Sequence, residues 1–415
     1  MDPQPVTIAA RWLFPVSRPP VANGSITILG DRIVSVDPSG IRDVDWEFPD
    51  CALIPGLVNC HTHLDLTGAR GQLPPTPADR FPDWLRSVIA FRRSRSTAEI
   101  ADDVVTGLKE SLRFGVTLLG DISSTGVSWS VVSQAPVRAV IFRELLGLSD
   151  SRVSEAIDTA RQWLTEHPAT SRCRPGLSPH APYSASVWLF LRAVSGSVPV
   201  ATHLAESAAE VELLERRSGP FVPFLEELGV WNPEAMAVSV GEFVILAEGV
   251  RAKRMSSQGP EMPPLLWIHG NYLSTDLPLQ SAHQSVIYCP RTHAAFEHDA
   301  YPLRELLAKG VRVAVGTDSL ASNPDLDLFR ELQFLRENDR SLPGDMLLRL
   351  GTLSGAEALG WENECGSLCP GKSADLVLIP LKGQEPADPY DWLFRPETVA
   401  APRRTMFQGV WRDQP

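Results

Sequence analysis

The sequence predicts an α/β protein: a TIM-like (β/α)8 barrel with a small β-sandwich built from both chain ends. Short apolar runs alternate with helical periodicity about eight times through the middle of the chain. The residues that close several of these runs include four histidines and an aspartate, at the strand ends where such barrels keep their chemistry. Short alternating strands crowd both termini. A doubly wound open sheet is the rival, but it should carry a Gly-rich phosphate loop after an early strand, and none is present. With 415 residues the chain has room for one barrel and an appended unit. The expected division is 1–54 and 363–415 for the two halves of the sandwich and 55–362 for the barrel.

Residues 6–10, 24–29 and 32–36 read as short strands, with turns at Asn23-Gly24 and Gly30-Asp31. Residues 53–58 form an apolar run that reads as one buried strand delivering His61 and His63. Alternate residues of a strand share a face, so the two imidazoles project together. Further strands run over 115–119 to Asp121, 137–142 to Arg143 and Glu144, and 174–178 to Pro179 and His180. Those over 198–202, 265–268, 285–288 and 311–315 lead to His203, His269, Cys289 and Asp318. Residues 98–114, 151–166 and 206–217 carry apolar residues at helical spacing between them. Residues 249–264 break the rhythm and read as a surface excursion. Residues 374–379 and 405–411 supply the closing strands.

A hydrophobic content of 43%, a charged content of 21% and a net charge of −12 are those of a soluble acidic enzyme. Nucleic acid and anionic membranes need a basic face, so neither is an expected partner. The opening Met1-Asp2-Pro3-Gln4-Pro5 lacks a basic segment before an apolar core, and no apolar run is long enough to span a bilayer. A cytoplasmic location with reduced thiols is the expectation. Cys365 and Cys369 have nothing nearby to complete a metal site. A small-molecule substrate is expected, with a homodimer left open.

Zinc and iron(II) favour imidazole nitrogen with carboxylate oxygen, and a catalytic site keeps one position open. The histidines and aspartate at the strand ends match that donor set. Four motifs then resemble the amidohydrolase superfamily. They are Pro55-Gly56-Leu57-Val58-Asn59-Cys60-His61-Thr62-His63, His203-Leu204-Ala205-Glu206, Ile268-His269-Gly270-Asn271 and Gly316-Thr317-Asp318-Ser319-Leu320-Ala321-Ser322-Asn323. Gly371-Lys372-Ser373-Ala374-Asp375-Leu376-Val377 is similar to the family's tail signature. The nearest branch holds the adenosine-type, S-adenosylhomocysteine and aminodeoxyfutalosine deaminases, guanine deaminase and the triazine hydrolases.

The resemblance implies one divalent cation, zinc ahead of iron, held by His61, His63, His203 and Asp318. A bridging lysine would mark a two-metal relative, and no predicted strand ends in one. It also implies catalytic roles for Glu206, His269 and Asp318 and a substrate contact for His180. The implied reaction is attack of metal-bound hydroxide on an adenine-like ring of a nucleoside derivative, releasing the exocyclic amine. Such substrates include aminodeoxyfutalosine, S-adenosylhomocysteine and methylthioadenosine. Trp84 would stack on the ring or fill a core; Arg143 with Glu144 would touch the sugar or close a barrel layer. Arg291 and His293 would meet a substrate tail or pair with acids such as Glu297. Ser319 would hold Asp318, and Asn323 would shape its loop. A cyclic-amide or triazine hydrolase is the alternative on the same fold, and a non-catalytic scaffold is the remote one. A zinc cytidine-deaminase fold lacks its Cys-x-x-Cys ligands here.

Overall fold

A computed structural model describes residues 4–258, 262–279 and 282–412. Eight parallel strands run in sequence order around a barrel. They are β1 (Leu57–Thr62), β2 (Val116–Ser123), β3 (Arg138–Leu145), β4 (Cys173–Pro179), β5 (Val200–Leu204), β6 (Leu265–His269), β7 (Gln284–Tyr288) and β8 (Val313–Val315). Closure comes where β8 meets β1: Thr62 bridges Asp318 in parallel, and the Asp318 N–H donates to the His61 carbonyl at 3.0 Å. Gly316 permits this approach, because a Cβ there would sit 2.8 Å from the His61 Cβ. The barrel closes on the residues that carry its chemistry.

The run 53–58 is two strands and not one. Its first part ends Trp46–Pro55, which lies in a separate sheet where Leu53 pairs with Leu13 and Leu378. The chain then crosses to the barrel at Gly56, where a Cβ would collide with Thr117 Oγ1 at 2.0 Å. Both strands are buried on both faces at the crossing, so the apolar run shows no break.

That separate sheet is mixed and takes strands from both ends: Val6–Leu13, Val21–Ala22, Ser25–Leu29, Arg32–Asp37 and Trp46–Pro55, then Leu376–Pro380, Arg404–Phe407 and Val410–Trp411. Ile8, Leu13, Ile26, Ile28, Leu53, Leu376 and Met406 give it its own apolar core. Two buried ion pairs tie the C-terminal segment to the barrel. Arg138 of β3 pairs with Asp375, and Arg403 makes a two-pronged contact with Asp327 at 2.6 and 2.9 Å. Asp327 also caps the helix Leu328–Asn338 by accepting from the Phe329 N–H. We expect Arg403→Met to cost about 3–5 kcal/mol in a denaturant titration, because it strands a buried carboxylate. A loss below about 1 kcal/mol would show that Asp327 is satisfied without it.

The excursion over 249–264 is corrected in its first part. Val240–Gln258 is one helix, and Arg251 on it is buried with its guanidinium on the Pro263 carbonyl at 2.9 Å. The polar residues read as loop are largely a helix's solvated side; residues 259–261 lie outside the described residues. No helix among the described residues is long and apolar enough to cross a membrane.

Candidate metal centre and active site

Six of the predicted site residues converge at the carboxyl ends of the strands. His61 lies within β1 and His63 just beyond it; His203 and His269 lie on β5 and β6, and Asp318 follows β8. His61 Nε2 is 3.3 Å and His63 Nε2 is 3.7 Å from Asp318 Oδ1, while His203 Nε2 is 3.4 Å from His63 Nε2. Two overlapping groups, His61–His63–Asp318 and His61–His203–His269, have ligand atoms within 4.8 Å of one another. Glu206 follows β5 and puts Oε1 3.3 Å from His269 Nε2.

The donor chemistry fits a divalent cation. His203 Nδ1 lies 2.9 Å from the His180 carbonyl, which can only accept, so Nδ1 carries the proton and Nε2 offers its lone pair inward. Burial pushes the pKa values of His63, His203 and His269 well down, which keeps these rings neutral. Burial also works to raise Asp318, but His61, His269 and Ser322 outweigh it and hold the carboxyl below its usual range. Buried nitrogens of His61 and His63 have no hydrogen-bond partner among the described residues. Neutral imidazoles beside an ionised carboxylate are what zinc or iron(II) binds.

Backbone strain marks two of these positions. His269 and Asp318 adopt left-handed φ values of 65° and 57°, which residues with a Cβ rarely do. Each is clamped. The Thr62 hydroxyl donates to the Asp318 carbonyl at 3.1 Å, and the Ser322 hydroxyl donates to Asp318 Oδ2 at 2.8 Å. The holding role expected of Ser319 therefore belongs to Ser322, while Ser319 lines the cavity. Asn323 braces the loop through the Thr317 carbonyl and Glu331, both at 2.7 Å. The His269 carbonyl accepts from the Tyr301 hydroxyl at 3.1 Å, and the Tyr301 ring stacks on Tyr288 with centroids 3.6 Å apart. We expect Tyr301→Phe to lower kcat about five- to tenfold with metal content unchanged, the size of one lost hydrogen bond. An unchanged kcat would show that the strained His269 backbone holds itself.

Glu206 is held from behind. Glu210 accepts from the N–H groups of Ala205 at 3.0 Å and Glu206 at 2.9 Å, and Asn271 donates to the Glu206 carbonyl at 2.8 Å. Burial pushes the Glu206 carboxyl well above its usual range, with Asp318 and Glu210 adding to the shift. Glu210, raised to about 7 by burial, was not marked in the sequence.

A cavity joins this cluster to helix α1 (Phe81–Ser94). Trp84 packs on Phe81 and Phe296, as a core tryptophan would, and also lines the cavity with a buried Nε1 that has no partner among the described residues. His180 lines it too, with Nδ1 2.7 Å from the Ser184 hydroxyl.

Two expected substrate contacts lie elsewhere. Arg143 turns its guanidinium onto the carbonyls of Ser124 and Glu144 and props the loop after β2, because residues alternate along β3 and its neighbour Glu144 takes the inner position. His293, on the short helix Pro290–Ala295, points away from the cavity with Nε2 2.9 Å from the Asp299 carbonyl. Arg291 pairs with Glu331 at 2.6 Å and Asp325 at 2.7 Å and not with Glu297. Sequence reading missed Arg92, Asp65, Tyr183 and Tyr301 at the site. Only Arg92 left a signal, since it follows Trp84 by eight residues and so lies on the same face of α1.

The sequence model of the amidohydrolase family matches residues 52–414. The chain belongs to the amidohydrolase family. It is a hydrolase of carbon–nitrogen bonds other than peptide bonds. Over 408 residues this amidohydrolase is 30% identical to the 5-methylthioadenosine/S-adenosylhomocysteine deaminase of Moorella thermoacetica, covering 91% of this chain and 86% of that one. Its fold matches the aminofutalosine deaminase of Helicobacter pylori in complex with methylthio-coformycin, at a TM-score of 0.81 and 20% identity. That match covers 98% of this chain and 99% of that one. The adenosine deaminase of Xanthomonas campestris, with bound zinc, gives a TM-score of 0.75 at 24% identity, covering 98% and 92%.

Proposed function

We propose that this amidohydrolase is a metal-dependent aminohydrolase that removes the exocyclic amine from an adenine-like ring of a nucleoside derivative. The observation that carries the reading is the Glu206–His269 pair at 3.3 Å, facing the same cavity as the histidine–aspartate cluster and the Trp84 indole. The deaminase relatives support the substrate class. The zinc-bound relative supports zinc as the ion, with His61, His63, His203 and Asp318 as its holders and residues 55–362 as the catalytic unit. When bound, such a cation supplies Lewis acidity and lowers the pKa of a water to about 7.

The chain's own residues do the rest. Asp318 Oδ1 takes a proton from the attacking water, and His269 Nε2 orients that water. Glu206, kept protonated by burial, gives its proton to the ring nitrogen next to the attacked carbon, so no bare charge develops on the ring. The ring carbon gains a C–O bond and loses its C–N bond: the proton that Asp318 took from water leaves with the amine as ammonia, and the proton left on the new hydroxyl returns to Glu206 as the carbonyl forms. Trp84 offers a face on which the heterocycle stacks.

The test is ammonia release from adenine, adenosine, methylthioadenosine, S-adenosylhomocysteine and aminodeoxyfutalosine, with a triazine and a cyclic amide alongside. Turnover of at least one nucleoside is expected. Hydrolysis confined to the triazine or the cyclic amide would replace this reading with the same-fold alternative.

A further inference from the structure

We propose that Glu210 is a positioning residue for the reaction: its carboxylate grips the peptide N–H groups of Ala205 and Glu206 and so aims the Glu206 carboxyl at the substrate ring. This rests on the proposed reaction, in which Glu206 is the proton donor.

The need for a grip follows from the strand. Side chains alternate along β5, which ends at Leu204, so a continued strand would send Glu206 to the face opposite His203. Ala205 breaks the alternation. Its φ of 52° lies in the left-handed region, where a residue with a Cβ rarely stays. That turn brings Glu206 to the cavity that His203 also lines. The Glu206 carboxyl does little to hold itself there. Among the described residues it has no hydrogen bond, and its one ion-pair contact is His269 Nε2 at 3.3 Å. Its aim is therefore set by its backbone.

That backbone is clamped on both sides. The loop after β6 takes the carbonyls: the Tyr272 N–H donates to Ala205 at 3.0 Å, and Asn271 Nδ2 donates to Glu206 at 2.8 Å. Glu210 takes the N–H groups, Oε1 accepting from Ala205 at 3.0 Å and Oε2 from Glu206 at 2.9 Å. Glu210 gets there as the last member of a Ser-x-x-Glu start to the helix Ala208–Arg216, where the Ser207 hydroxyl accepts from the Glu210 N–H at 3.2 Å. In a helix start of this kind the glutamate returns to the N–H of the capping serine. Here its two oxygens reach one and two residues further back, onto the peptide that carries the proton donor. Helix capping does not ask for that reach. Nor is the arrangement free of cost, since Glu210 is fully buried. Burial pushes its carboxyl up to about 7 against the N–H groups of Glu206, Ala205 and Ser207, and no cation pairs with it among the described residues.

The experiment is a double-mutant cycle on the metal-loaded enzyme, read on the nucleoside of the panel that releases ammonia fastest. Glu210→Gln keeps the volume but offers one acceptor where two N–H groups point. Its kcat should fall about 10- to 10²-fold, the effect of a misplacement near 1 Å. KM should stay within about twofold, with metal content unchanged. In the Glu206→Gln background the same substitution should lower kcat by less than about twofold, because no proton is left to aim. A helix cap with no part in the reaction would cost the same factor in both backgrounds. That result, or an unchanged kcat in Glu210→Gln, would overturn the proposal. Glu210→Asp keeps the charge and shortens the reach, so it should show the same loss in kcat, and it replaces the glutamine variant in the cycle if that one does not fold. A crystal structure of the variant needs no turnover: the Glu206 carboxyl should leave its 3.3 Å contact with His269, and an unmoved carboxyl would count against Glu210 as firmly. Ammonia release with equal losses in both backgrounds sinks this inference and leaves the reaction standing. Hydrolysis confined to the triazine or the cyclic amide removes the nucleoside reading, and the same cycle on that substrate then decides for or against Glu210.

Discussion

Replacing His63 with alanine is expected to abolish turnover and strip the bound metal from the protein. His63 Nε2 faces both Asp318 Oδ1 at 3.7 Å and His203 Nε2 at 3.4 Å, so its loss opens one side of the proposed ligand set. Asp318, His61 and His203 would remain, but three ligands without the fourth leave a weaker and more exposed cation. Lewis-acid stabilisation amounts to several kcal/mol, so kcat/KM should fall by at least about 10³-fold. Metal analysis should find about one ion per wild-type chain and far less in the variant, with circular dichroism unchanged. Two ions per wild-type chain would overturn the single-metal reading. A variant that keeps its metal and half its activity would remove His63 from the ligand set.

The parts of this site that the sequence made legible are those set by strand periodicity. His61 and His63 share a face because strand side chains alternate, and the polar residues after each apolar run fall at the barrel's carboxyl ends because all eight strands are parallel. The same periodicity could not show the crossing at Gly56, where one continuous apolar run serves two sheets. It also could not tell which of Arg143 and Glu144 faces inward, since that depends on the register of β3 against its neighbours. For Arg92 the sequence carried its spacing from Trp84 on α1 but not its partner. Its role depends on α1 folding back over the barrel mouth to meet Glu144, 52 residues later in the chain. His293 misled because a histidine near a strand end is informative only if its ring points into the mouth, and this one turns back to the Asp299 carbonyl.

Glu206→Gln should separate proton transfer from metal binding. Glutamine keeps the shape of the side chain, and the backbone bonds from Ala205 and Glu206 to Glu210 stay in place. What the variant lacks is a proton to give to the ring nitrogen. General acid–base catalysis contributes about 10²–10⁴-fold, so kcat should fall by that factor while KM and metal content change little. The pH dependence carries a sign. Burial first, then Asp318 and Glu210, raise the Glu206 pKa well above the ordinary carboxyl range, so the protonated form persists to higher pH than a solvated glutamate allows. If that form is the donor, activity is full below the raised pKa and is lost as the pH climbs through it. The wild-type kcat profile should therefore have an alkaline limb that the residual activity of Glu206→Gln lacks. An alkaline limb of the same position in both proteins would assign it to another group, and normal turnover in the variant would take the proton away from Glu206 altogether.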